Sequence, residues 1–267
     1  AHLEFRDWNE IFISMFCDKK PGVTPAAIKR CGGRLAIYRK EHPVVAFPIR
    51  NGQGEIVGWM LYHRGGRLLP AYAKNGDEVA VEWVKILVTF GSKPGLMGFL
   101  GNYENVWKTE GPSDCLALTA AAIGQGIGLA VVCNPFGSKE TPRSEVVAQF
   151  ADRNVNVIHD ADNDGEIGAK KWGEAIATVA RKCRIVKLPY EITRSAGRDL
   201  RDFLNEGKAL MDILALAEAS EPVRLEEAKL RPAEAPDDPW RLAVTILASE
   251  RFSGNLRYWR DEWWLYS

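Results

Sequence analysis

No two of the five cysteines form a C-x-x-C pair; Cys17, Cys31, Cys115, Cys133 and Cys183 are scattered, with no close histidine pair beside them. That spacing speaks against a zinc ribbon within the sequence, so no zinc is expected, and still more against a disulfide framework. There is also no run of about 18 apolar residues and no signal-peptide pattern, so the chain is expected to be cytoplasmic, with no membrane partner. Net charge is lacking as well: 35 Lys and Arg balance 35 Asp and Glu. What remains is an ordinary soluble composition, 46% hydrophobic and 26% charged, on a chain of 267 residues that can bury one large core or two modest ones.

The balanced total conceals a segregation of charge. Between Lys19 and Lys74 there are eleven Lys or Arg against two acids, Glu41 and Glu55, a local excess of nine. The carboxylates gather further on. A basic portion beside an acidic one suits a protein that guides a polyanion toward a metal centre, although a solvated basic surface has the same composition.

The most informative stretch runs from Asn154 to Gly168, NVNVIHDADNDGEIG. An apolar run, Val155, Val157 and Ile158, reads as a buried strand that leads into Asp160, Asp162, Asp164 and Gly165. If the chain stays extended past His159, the period of two places Asp160 and Asp162 on one side. Carboxylates held that close repel by roughly 1 to 4 kcal/mol per pair at effective dielectrics of 80 to 20. A hard cation, Mg²⁺ or Mn²⁺, would relieve the repulsion, and all-oxygen ligands suit it. The calcium-loop pattern D-x-[DN]-x-[DN]-G-x₅-E matches at first but ends on Lys171 where a glutamate is required. A solvated acidic turn is the bland alternative.

The rest of the chain supplies a context. Phe5, Trp8, Phe12 and Met15 recur at helical spacing and predict a first amphipathic helix with that stripe inward. Thr24 and Pro25 predict the start of a short helix through Arg30. Val44 to Ile49 and Ile56 to Leu61, separated by Asn51-Gly52-Gln53-Gly54, predict a hairpin, and residues 1–104 read as a small basic α+β unit. From Asn105 the pattern alternates. Strands are predicted at Val106 to Thr109, Leu129 to Cys133, up to Asp160, and Arg184 to Leu188; helices at Leu116 to Ile123 (capped by Ser113 or Asp114), Glu145 to Ala151, Ala169 to Lys182 and up to Glu206. Such β-α units predict an α/β domain over 105–220, a mostly parallel sheet with helices on both faces, in which ligands bind beyond the carboxyl ends of the strands. Glu110 and the three aspartates both fall there. The Pro- and acid-rich residues 221–239 read as a linker. Beyond it, 240–250 is helix-like, and 256–266 reads as an aromatic hairpin that stops before a core could close, as expected of a piece of a longer protein.

Glu110-Gly111-x-x-Asp114, followed about fifty residues later by D-x-D-x-D-G at the end of a strand, resembles the TOPRIM domain shared by primases, topoisomerases and some nucleases. Upstream, GVTPAAIKRCG, VVAFPIRNGQGEIVGWMLYHR and KILVTFGSKPGLMG look like the basic subdomain that precedes TOPRIM in bacterial DnaG-type primases, and GRDLRDFL is similar to the segment that supplies a further acid in that family. The resemblance covers roughly residues 20 to 210. RYWRDEWWLYS is similar to the stretch that opens the helicase portion of phage- and plasmid-type primase-helicases.

The resemblance implies a DNA primase: metal-dependent, template-directed nucleotidyl transfer that makes short primers on single-stranded DNA from nucleoside triphosphates, with a helicase module or helicase partner. Glu110, Asp160 and Asp162 would be catalytic, and Glu110, Asp160, Asp162, Asp164 and Asp199 would hold Mg²⁺ or Mn²⁺. Gly111, Asp114, Gly165 and Asp202 would support them, while Arg50, Arg64, Arg67, Lys74 and Lys93 would bind nucleic acid. No zinc ribbon of the family's N-terminal kind is expected within this sequence, and Ala71 stands where such primases usually carry a basic residue. A TOPRIM nuclease would use the same metal site to cleave, and a non-catalytic nucleic-acid-binding module would keep the fold alone. A type IA topoisomerase would require a tyrosine nucleophile in further large domains.

Overall fold

The computed structural model describes residues 3–66, 69–75, 78–137, 140–224, 256–259 and 262–265. Its elements are β1 (Leu3–Phe5), α1 (Glu10–Asp18), α2 (Pro25–Arg30), β2 (Arg34–Tyr38), β3 (His42–Arg50), β4 (Ile56–His63), β5 (Leu69–Asn75), β6 (Glu78–Val84), β7 (Ile86–Val88) and β8 (Leu96–Phe99), then β9 (Asn105–Thr109), α3 (Pro112–Gly124), β10 (Ala130–Cys133), α4 (Ser144–Val147) with a 3₁₀ turn, β11 (Asn154–Ile158), α5 (Asn163–Ala177), β12 (Lys182–Val186), α6 (Leu200–Asn205) and α7 (Leu210–Ala219). A separate unit holds β13 (Leu256–Trp259) and β14 (Glu262–Leu265), an antiparallel pair in the register Leu256 to Leu265. Thus the backbone of the expected terminal hairpin forms. Most of the linker and the helix-like 240–250 lie outside the described residues.

The main sheet runs in the order β1-β2-β3-β8-β10-β9-β11-β12, with β4 paired to β3 and β7 to β4, while β5 and β6 pair with each other in a separate two-stranded sheet. Strands β10, β9, β11 and β12 are mutually parallel, whereas β1, β2, β3, β4, β7 and β8 pair antiparallel. The two portions read from the sequence therefore share a sheet, joined where β8 meets β10 through Phe99, Gly98 and Met97 opposite Val131, Val132 and Cys133. Gly98 makes that approach possible. Its φ is +116°, and a Cβ built there would stand 2.3 Å from the Val131 carbonyl oxygen.

Alternation along the parallel strands gives each face its own core. Trp107, Val131 and Ile158 pack with Ile13, Phe16, Ile28, Leu116, Phe203 and Ile213 from α1, α2, α3, α6 and α7. Val106, Val132 and Val157 pack on the other face with Val146, Val147, Phe150, Trp172 and Ile176 from α4, its 3₁₀ turn and α5. This is the expected sheet with helices on both faces. Among the described residues no helix is long and apolar enough to cross a membrane.

Three local expectations change. Asn9 caps α1, accepting from the Phe12 amide at 2.9 Å, so the helix starts late and Phe5 belongs to β1. The phase that cap sets turns Ile13 and Phe16 inward at 0% exposure and leaves Met15 43% exposed. Gly111 stands at the N-cap of α3, so neither Ser113 nor Asp114 caps it. Finally, α5 begins at Asn163 rather than Ala169, because the backbone turns helical immediately after Asp162.

Candidate active site

Strands β9 and β11 are neighbours in register, Ile158 opposite Thr109, so their carboxyl ends bring Glu110 and Asp160 together. The Asp160 amide donates to Glu110 Oε2 at 3.3 Å. Asp114 arrives from the first turn of α3 and is 5% exposed; its Oδ1 accepts from the Arg201 amide at 3.2 Å. Asp199 arrives from the start of α6. Glu110, Gly111, Asp114, Asp160 and Asp199 line one cleft of about 620 Å³, with Lys85 on the same wall as Val84 and Ile86.

Crowding and burial show in the protonation of these acids. Burial first, then the charges of Asp114, Glu110, Asp199 and Asp162, push the Asp160 carboxyl up to about 9. Asp114 is pushed up to about 8 by burial and then by Asp199. Asp199 is raised too, again chiefly by burial. A bound cation would reverse the electrostatic part and favour the ionised forms.

The donor chemistry suits a hard cation, but its geometry sets a limit: among the described residues no three His, Cys, Asp or Glu side chains stand close enough to hold one metal ion. Magnesium is commonly held by one or two carboxylates, with water and substrate phosphate oxygens completing the shell. Glu110 and Asp160, tied at adjacent strand ends, fit that manner of binding.

Other predicted site residues have structural work of their own. Strand β11 ends at Ile158, so the extended-chain argument for Asp160 and Asp162 fails. Asp162 is the N-cap of α5; Oδ1 accepts from the Gly165 amide at 2.8 Å and Oδ2 from the Gly197 amide at 3.1 Å. Both of its oxygens are thus engaged, and it does not line the cleft. Asp164 lies exposed in the first turn of α5 and is likewise not part of the cleft wall. Gly165 is required sterically, since a Cβ there would stand 2.3 Å from the Asp160 carbonyl oxygen. Asp199 and Asp202 form a capping box, with the Asp202 amide 2.7 Å from Asp199 Oδ1 and the Asp199 amide 3.2 Å from Asp202 Oδ2.

Of the predicted basic residues, Arg50, Arg64 and Lys93 do not line this cleft. Arg50 folds back on its own hairpin turn, donating to the Gly54 carbonyl at 2.8 Å. Arg64 lies 3.1 Å from Met15 Sδ. Lys93 lines a different cavity of about 470 Å³ with Gln53, Glu145 and Gln149. Lys74 is on β5, opposite Val79, and Arg67 lies outside the described residues. Among the described residues the cation lining the acidic cleft is Lys85, which opens the KILVTFGSKPGLMG segment between β6 and β7 but carries no spacing of its own that marks it for this site.

Behind Glu110 lies a second arrangement that motif reading did not find. Lys108, 0% exposed, places Nζ 2.6 Å from His159 Nε2 and 4.5 Å from the Trp172 ring centroid. Nδ1 of His159 stands 3.6 Å from Glu110 Oε2 and has no hydrogen-bond partner among the described residues. Burial holds Lys108 down at about 7 and keeps His159 well below its ordinary value, so the imidazole is neutral at pH 7. The period of two contained the signal: Lys108 shares a strand face with Val106, which is in the core.

No family model matches the sequence, and no curated protein matches it either. Solved structures do. The Aquifex aeolicus primase, comprising zinc-binding and RNA polymerase domains, superposes with a TM-score of 0.55 at 15% identity over 80% of this chain and 57% of that one. The chain has the fold of a bacterial DnaG-type primase core. The E. coli primase catalytic core gives a TM-score of 0.52 at 16% identity, covering 78% of this chain and 73% of its own, and a further DnaG catalytic core gives 0.53 at 17% with the same coverage. Measured against the A. aeolicus primase, the chain spans a little over half its length. Within this fold Glu110 and Asp160 follow the ends of adjacent parallel strands.

Proposed function

We propose that the chain is a primase-type nucleotidyltransferase that makes short primers on single-stranded DNA from nucleoside triphosphates. The observation that carries this reading is the convergence of Glu110, Asp114, Asp160 and Asp199, from four separate elements, on one cleft that also holds Lys85. In the reaction a 3′-hydroxyl oxygen bonds to the α-phosphorus of the incoming nucleotide, the bond to pyrophosphate breaks, and the hydroxyl proton passes to solvent or a nearby base. Bound Mg²⁺ or Mn²⁺, held by Glu110 and Asp160, would neutralise the charge that develops on the phosphate oxygens. Lys85 offers the triphosphate a cation. A Cβ at Gly111 would touch nothing within 4 Å, so the space beside that turn is left to substrate. His159 and Lys108 hold the floor beneath Glu110.

The test is to incubate the chain with single-stranded DNA, labelled ribo- or deoxyribonucleoside triphosphates and Mg²⁺ or Mn²⁺, and to resolve the products by size. New template-dependent oligomers are expected. Cleavage of the DNA without synthesis would assign the cleft to a hydrolase, and DNA binding with neither product would leave a binding module.

A further inference from the structure

Phe136 lies on the same cleft, in the loop that follows β10, and is 51% exposed. A large apolar ring in such a position must have its loop held, and it is. The Phe136 amide donates to Glu140 Oε2 at 3.1 Å, and Asn134 Nδ2, from a residue 1% exposed, donates to that same oxygen at 3.0 Å and to the Gly137 carbonyl at 2.6 Å. Among the described residues no aromatic ring or cation covers the Phe136 ring. The cleft thus combines three chemistries: carboxylates and Lys85 for a phosphate chain and its counterions, the apolar wall Ile86 and Val88, and a free aromatic face.

We propose that Phe136 is the stacking platform for the base of the incoming nucleoside triphosphate. The inference rests on the nucleotidyl-transfer reading above and adds a base-binding residue to it. A π-face accepts any base, so the platform confers affinity with little sequence preference. A phosphate chain at Lys85 and a base on Phe136 require one ligand bearing both, and a cleft of about 620 Å³ is of the size that small-molecule ligands occupy.

Calorimetric titration of the full chain with a nucleoside triphosphate, with inorganic tripolyphosphate and with a short oligothymidylate tests this, using the wild type, Phe136→Ala and Phe136→Trp. Phe136→Ala is expected to weaken nucleotide binding by about 5- to 160-fold, as loss of one stacked base would. Tripolyphosphate binding should be unchanged and Phe136→Trp should retain nucleotide affinity. The proposal is overturned if Phe136→Ala leaves nucleotide affinity intact, if it weakens tripolyphosphate equally, or if only the oligothymidylate is affected, which would move the ring to the template. Should the wild type bind neither nucleotide nor tripolyphosphate, the nucleotidyl-transfer reading falls first and takes the platform with it. An unchanged Tm for Phe136→Ala confirms that the exposed ring was not holding the fold.

Discussion

Replacing Lys108 by methionine should make the protein more stable at neutral pH, although it removes a 2.6 Å contact. Inside the protein the amine titrates near 7 instead of 10.5, chiefly because burial disfavours its charge. The unfolded chain therefore binds a proton that the folded chain only half retains. With about 1.4 kcal/mol per factor of ten, this lysine lowers stability by about 4 kcal/mol at pH 7 and about 2 kcal/mol at pH 9, relative to one with an ordinary pKa. The sign follows from the depressed value: stability rises as pH rises from about 7 toward 10.5. Methionine fills a similar volume against Trp172 and carries no such burden, but it leaves His159 Nε2 without its donor, which costs about 1 to 3 kcal/mol. The expected net is a gain of about 1 to 3 kcal/mol at pH 7 that shrinks or reverses by pH 9. Urea denaturation of both proteins at the two pH values measures it. A difference independent of pH would refute the reasoning, because it would mean that Lys108 is fully charged inside the fold and is stabilised there by Glu110 and Glu140.

Asp162→Asn should destabilise by about 1 to 3 kcal/mol, because the Gly197 amide loses its acceptor while the cap on Gly165 survives; a simple loss of a metal ligand would leave the urea midpoint in place. Asp160→Asn is expected to abolish synthesis yet raise the metal-free Tm at pH 7 to 8. The folded carboxyl, raised to about 9, gives stability that is greatest below about 4 and is lost as pH rises, and the amide mimics its neutral form. Millimolar Mg²⁺ should then raise the Tm of the wild type but not of Asp160→Asn. Gly165→Ala should cost about 1 to 3 kcal/mol and lower activity through displacement of the Asp160 carbonyl; wild-type activity would show that the loop can move aside.

How much of this could be read in the sequence differs from one element to the next. The β3–β4 hairpin and α2 were visible because Asn51-Gly52 and Thr24-Pro25 dictate their geometry locally. Glu110 and Asp160 were visible because carboxylates at the ends of alternating strands have few other uses. Asp162 takes a structural role for a local reason: the same Asp-x-x-Gly spacing that suggests a metal loop also makes a helix cap, and its Oδ1 accepts from the Gly165 amide. The first helix slipped because Asn9 competes with an equally periodic set of aromatics, and a cap is worth more than one place in a stripe. Lys85 heads the KILVTFGSKPGLMG segment, but its place at the acids is not legible there, since what gives it a role is a cleft between β7 and α3 that exists only once the sheet has assembled. Lys108 was legible in retrospect as a charge on a buried strand face.

The seam at Gly98 bears on how such a protein could come apart or be built. Because the backbone of β8 approaches β10 where a single methyl group would collide with a carbonyl, the basic half and the acidic half are zipped rather than hinged. Access to the carboxylates runs past the loops above the strand ends, and any side chain added at residue 98 would press on the Val131 carbonyl and strain the sheet along this line.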